Sequence, residues 1–200
     1  MRFSVLPALV AVFSFVWVAK AQSSPIIAQY WPAYNSEVQP PSAVPFNYSA
    51  ISYYFVTITT ASGFQVPADQ STSDIQQFVS LAKAAGSKPV FSIGGWSGSL
   101  HFSNLVNSDA ARTKLANDIK AFMDQYGFSG VDLDWEYPNG EGIGCNARSP
   151  DDSANLLAFL KVLRQTIGSS NLITAAVSTA GFLLRKALIF TLPFHIVSSP

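Results

Sequence analysis

Phe128-Ser129-Gly130-Val131-Asp132-Leu133-Asp134-Trp135-Glu136-Tyr137-Pro138 is the stretch on which the fold and the chemistry of this chain turn. Asp132, Asp134 and Glu136 are spaced by two, and successive side chains of a strand alternate between faces. A strand over Gly130 to Glu136 therefore sets all three carboxylates on one face. Val131, Leu133 and Trp135 fall on the other, where they call for covering helices. Three acids in a row oppose stability, because like charges a few ångströms apart and partly desolvated cannot all ionise at low cost. One or more pKa values should rise, which is how a carboxylic acid is kept protonated near neutral pH for use as a general acid. The alternatives are a solvent-facing polar strand and a metal loop. An EF-hand loop opens with D-x-D but needs glycine at its sixth position and glutamate at its twelfth, whereas Glu136 stands at the fifth.

Outward from this strand, the chain alternates between two periods. Ile26 to Trp31 is a short apolar run ending in aromatics, and a Pro/Ser/Asn stretch follows to Pro45. Ala50 to Thr59 is rich in aromatic and β-branched residues, as strands are. Ser73 to Gln76 has the capping-box pattern, and Ile75, Phe78, Val79 and Ala82 share one helical face that stops at Gly86. Pro89 to Ile93 reads as a strand running into Gly94-Gly95. Ala111, Leu115, Ile119, Phe122, Met123 and Tyr126 recur at helical spacing, with Gly127 placed to end the helix. After the acidic strand, a loop with three glycines leads to Asp151. Leu156, Leu157, Leu160, Leu163 and Ile167 then mark a helix that ends at Gly168, and Leu172 to Thr179 marks a fifth strand. Strands alternating with helices predict a parallel sheet covered by helices. Polar chemistry at the strand ends fits a (β/α)8 barrel and equally the crevice of a doubly wound sheet, so periodicity leaves both open.

The acidic segment resembles the D-G-x-D-x-D-x-E motif of family 18 glycoside hydrolases, the chitinase family, with Ser129 in place of the leading aspartate. Phe91-Ser92-Ile93-Gly94-Gly95 resembles the family's third-strand S-x-G-G motif. Ile51 to Ile58 resembles its second strand, Gln29-Tyr30-Trp31 its first, and Asn139 to Leu160 fungal-type members. The resemblance covers about Ile26 to Phe182. It implies an α/β fold, the (β/α)8 TIM barrel, and substrate-assisted retaining hydrolysis of β-1,4-N-acetylglucosamine linkages. Glu136 would be the general acid, Asp134 would orient the acetamido group of the substrate, and Asp132 would share a proton with Asp134. Tyr30, Phe55, Trp96 and Tyr137 match positions that supply sugar platforms; for Phe55, core packing is an equal reading. Ser92, Gly94 and Gly95 would bring backbone close to the acid strand. No cofactor or metal is implied, and the expected partner is chitin or chito-oligosaccharide.

Formal net charge is zero, with 12 % charged and 48 % hydrophobic residues. That is too apolar for a disordered chain and too neutral for a nucleic-acid binder. Arg2, the apolar run Val5 to Val18 and Ala19-Lys20-Ala21 form a signal-peptide pattern, so residues 1–21 are expected to be removed and the mature chain to be secreted, extracellular and free of the membrane. The run is short for a membrane span and contains Pro7. Asn47-Tyr48-Ser49 is a glycosylation sequon that agrees with export. Cys145 is the one cysteine, and His101 and His195 carry no assigned role.

After Phe182 the resemblance ends. Residues 183–200 match no family segment, and neither the family's sixth-strand Met-x-Tyr-Asp-like motif nor its eighth-strand tryptophan appears. About 179 residues follow the signal, against roughly 250 in a typical barrel. The expectation is an incomplete barrel of about five strands, residues 22–182, followed by an unrelated tail. Three functions follow from that: a chitinase-like enzyme, a carbohydrate-binding silent relative, or an inactive truncated product. Silent relatives usually lack the acid, which is present here as Glu136.

Overall fold

The computed structural model describes residues 26–68, 70–177 and 195–198; the signal-peptide reading of residues 1–21 lies outside them. Strands β1 (Ala28–Pro32), β2 (Ile51–Thr60), β4 (Lys88–Gly94), β5 (Gly130–Asp134) and β6 (Leu172–Val177) form a parallel sheet. Helices α1 (Thr72–Ala84), α3 (Asp109–Tyr126) and α4 (Asp152–Ile167) connect β2 to β4, β4 to β5 and β5 to β6. The sheet order is β1-β2-β4-β5-β6. It advances in one direction without the reversal that defines a doubly wound sheet, so of the two arrangements left open by periodicity the barrel type is the one formed.

Three elements stand outside the expected alternation. β3 (Gly63–Gln65) folds back antiparallel on the end of β2. The short helix α2 (Phe102–Val106) precedes α3. β7 (His195–Ser198) pairs parallel with Thr174–Val177 of β6, a sixth parallel strand drawn from the segment read as an unrelated tail. Among the described residues the sheet is a path from β1 to β7 and not a closed ring.

The two faces of the sheet divide the apolar residues as the alternation requires. Trp31, Tyr54, Phe91, Ile93, Val131, Leu133 and Ile173 join Ile75, Phe78, Leu115, Ile119, Phe159 and Leu163 of the helices in one continuous core. A ring column from Trp31 through Phe78 to Phe46 seals its start, with centroids 5.4 and 5.2 Å apart. The opposite face holds a small separate cluster of Ile51, Tyr53 and Val90, with Leu172 against it. Above that cluster, on the same face and toward the C-terminal strand ends, stand the acids.

Local signals explain the boundaries. Ser71 caps α1 by accepting the Ser73 N–H, two residues before the capping-box serine, and Ser108 caps α3 through the Ala111 N–H. Gly127 ends α3 at φ 81°, a left-handed conformation that glycine adopts without penalty.

Candidate active site

Asp132 is fully buried on β5, yet each of its oxygens has a partner. Thr174 Oγ1 donates to Oδ1 at 2.6 Å, Ser92 Oγ donates to Oδ2 at 2.8 Å, and the Tyr30 hydroxyl donates to Oδ2 at 3.3 Å. Those donors come from the neighbouring strands β6 and β4 and from β1, and Ser92 and Thr174 both pair with Asp132 in the parallel registers. Burial pushes the Asp132 carboxyl up, and the three hydroxyl donors act against that shift by favouring the charged form.

Asp134 lies one step up the strand and is 7 % exposed. Its carboxyl is pushed up to about 7, first by burial, then by the charges of Glu136 and Asp132 and by a hydrogen bond with Glu136. A carboxyl in that range holds or gives up a proton near neutral pH. The same surroundings, burial first and then Asp132, raise the Tyr30 hydroxyl. Glu136 is half-buried and stands two residues past the end of β5, not within it as the alternation alone would place it. The Glu136–Tyr137 peptide bond is cis. The three carboxylates expected on one face are therefore brought together, graded from the buried Asp132 to the accessible Glu136.

The β4 turn fits against this strand end. Gly95 N–H donates to Asp134 O at 2.8 Å. Gly94 has φ 114°, and a Cβ there would collide with the Asp134 carbonyl and lie 2.8 Å from the Phe102 ring. A Cβ on Gly95 would stand 2.6 Å from the Phe55 ring. The S-x-G-G glycines are thus where the β4 backbone and the acid strand touch.

Of the aromatic positions, Tyr30 is 43 % exposed and stacks on Tyr53 with centroids 4.4 Å apart. Phe55 is half-buried, edge-on to Tyr30 at 6.0 Å, and close to Gly95. Trp96 is 54 % exposed beside the acids' turn, and Tyr137 is half-buried next to Glu136. Tyr30 does more than offer a ring, since its hydroxyl reaches Asp132.

Four supporting residues escaped the sequence reading. Thr174 holds Asp132. Ser99, fully buried, accepts the Glu136 N–H at 3.2 Å and reaches the carbonyls of Asp134 and Gly95. Asn146 donates to the Glu136 carbonyl at 2.9 Å. Asp152, buried at the start of α4, accepts from Ser103 Oγ at 2.6 Å and from the N–H groups of Asn139 and Ser149, and so ties the loop after the acids to α2. Small polar residues in loops carry no period, so only three-dimensional placement reveals them.

Parallel strands in sequential order with a graded acid row at their C-terminal ends define a barrel-type α/β protein with a carboxylate site. The chain belongs to Glycosyl hydrolases family 18, whose profile matches residues 26–190 and so runs past Phe182. It is 34 % identical to a "chitinase-like effector" of Moniliophthora roreri over 163 residues, covering 80 % of this chain and 40 % of that protein. A solved chitinase of Rhizomucor miehei is 28 % identical with a TM-score of 0.68, over 76 % of this chain and 47 % of its own. Catalytic domain 2 of the Ostrinia furnacalis group II chitinase, solved with penta-N-acetylchitooctaose, is 25 % identical with a TM-score of 0.70, over 76 % of this chain and 43 % of its own. The fold is that of these TIM-barrel chitinases in part, and the chain spans less than half the length of each of these three.

Proposed function

We propose that this chain carries a site for substrate-assisted, retaining hydrolysis of β-1,4-linked N-acetylglucosamine. Glu136 donates its proton to the glycosidic oxygen as the C1–O bond breaks. The acetamido oxygen of the same sugar attacks C1 and forms a cyclic oxazolinium. Asp134 accepts a hydrogen bond from the acetamido N–H and offsets the positive charge. Asp132 shares a proton with Asp134 and is kept in place by Tyr30, Ser92 and Thr174. Water that gives a proton back to Glu136 then opens the ring with retention. The observation that carries this reading is the Asp134 carboxyl, pushed up to about 7 between two other acids, since an inert strand gains nothing from such a row. Tyr30, Phe55, Trp96 and Tyr137 would supply the faces on which pyranose C–H groups pack.

The matching partner is chitin or chito-oligosaccharide, with no cofactor, metal, nucleic acid or membrane involved. Export with cleavage near Gln22 belongs to the same proposal, and N-terminal sequencing of the exported form tests it; residues 1–21 found attached would refute it. Residues 183–190 lie within the family match and His195–Ser198 pairs with β6, so the transcript sequence beyond codon 182 is the test of how much of residues 183–200 belongs to the barrel.

A binding-only function is the second reading, because the relative from Moniliophthora roreri is described as a chitinase-like effector and not as a chitinase. Release of chromophore from a chito-oligosaccharide glycoside, abolished in Glu136→Gln, supports hydrolysis. Retention on chitin beads without any release supports binding alone.

A further inference from the structure

The ladder between β4 and β5 ends at the Gly94–Asp134 pair, so among the described residues no sheet hydrogen bond fixes the main chain at Glu136. Two side chains do so instead. The Glu136 N–H donates to Ser99 Oγ at 3.2 Å, and Asn146 Nδ2 donates to the Glu136 carbonyl at 2.9 Å. Ser99 is fully buried and Asn146 is 9 % exposed.

Each of the two is itself held. Ser99 follows Gly98, where a Cβ would collide with the Gly94 carbonyl. The Gly98 carbonyl accepts both the N–H and the hydroxyl of Thr59, at 2.9 and 2.6 Å. The single Ser99 proton is directed at the Gly95 and Asp134 carbonyls, 2.8 and 2.9 Å away. On the other side, Gly142 at φ 52° has no room for a Cβ between Asn146 and the Glu136 carbonyl. Ala147 N–H donates to the Leu100 carbonyl at 2.8 Å, which ties the Asn146 segment to the residue after Ser99. The two supports and Glu136 thus form a closed circuit of two loops around one residue.

We infer that Ser99 and Asn146 are positioning residues, a two-sided clamp on the Glu136 main chain that fixes where its carboxyl stands over Asp134. The inference rests on the proposed role of Glu136, but its test needs no substrate. The groups that face Asp134 are Asp132 and Glu136 on its own segment and Tyr30 from β1. If the clamp sets the Glu136 carboxyl, loosening it weakens the charge and hydrogen-bond contribution of Glu136 to Asp134.

The experiment follows the Asp134 side-chain carboxyl by 13C NMR across a pH titration of the full 200-residue chain. Ser99→Ala and Asn146→Ala are each expected to lower the Asp134 midpoint by about one pH unit while unfolding stays cooperative. Ser99→Thr, which keeps the hydroxyl, should restore it, and Ser97→Ala, an exposed position in the same turn, should leave it in place. An unchanged midpoint in folded alanine variants overturns the clamp. If one alanine variant does not fold, the other decides. If neither folds, the residues are structural and the inference is equally overturned. Absence of hydrolysis in the parent chain would count against the proposed function alone, because the titration reads the clamp without it.

Discussion

Thr174 stands directly beside Asp132 across the β5–β6 pair, and its hydroxyl donates to Asp132 Oδ1 at 2.6 Å. Both side chains are buried. Val matches Thr in shape and lacks the donor, so Thr174→Val leaves one carboxyl oxygen unsatisfied. The expected loss is about 1–3 kcal/mol in urea unfolding. The loss should grow as pH rises, since the lost donor favours the ionised form. A loss that does not grow as pH rises would show that the Thr174 hydroxyl does not favour the charged form of Asp132.

Glu136→Gln keeps shape and hydrogen bonding but removes the acid. Turnover of a chromogenic chito-oligosaccharide should fall by roughly 10²–10⁴, while binding of chitotetraose measured by tryptophan fluorescence persists. Equal turnover in the two proteins would remove Glu136 from the mechanism.

The acid row makes stability depend on pH in a defined direction. An unfolded aspartate ionises near pH 4, whereas Asp134 keeps its proton to about 7. Between these values the unfolded chain binds fewer protons than the folded one, so unfolding free energy falls as pH rises and levels off above the folded pKa. Asp132 is shifted in the same direction. The parent should therefore melt at lower temperature at pH 8 than at pH 5. Asp134→Asn should flatten the slope and be more stable at pH 8 by about 2–4 kcal/mol. A melting temperature that rises from pH 5 to pH 8 would contradict this assignment.

Gly94→Ala meets two obstacles, a φ of 114° and the Asp134 carbonyl where its methyl must go. The expected loss is about 3 kcal/mol or more. Gly144→Ala, also at positive φ but with open space around it, should lose less; circular dichroism melts of the two variants compare them directly.

The strand and helix order was legible because each element buries one face and so carries a period. The acid row was legible for the same reason, since its spacing of two is the strand's own period. β3, α2 and β7 were not, because three to five residues are too few to establish a period and their pairing depends on neighbours distant in sequence. The capping box at Ser73 signalled the start of α1 but not its cap, because the Ser71 hydroxyl reaches the Ser73 N–H first. Ser99, Asn146, Thr174 and Asp152 act through side-chain hydrogen bonds to groups up to 49 positions away, and nothing in their own surroundings in the sequence marks them.

The alternation along β5 separates two jobs that most strands mix. Val131, Leu133 and Trp135 satisfy the core, with Trp135 stacked on Phe102 at 5.2 Å, and the acids share none of that packing. A lineage can therefore change Asp134 or Glu136 without disturbing the core, whereas loss of Asp132 would remove the acceptor that the hydroxyls of Thr174, Ser92 and Tyr30 share. Insertion or deletion of one residue is a different matter, because it would turn carboxylates into the aromatic core. Substitution can therefore reshape the upper acids independently of the core, while any shift of register along this segment is closed to the fold.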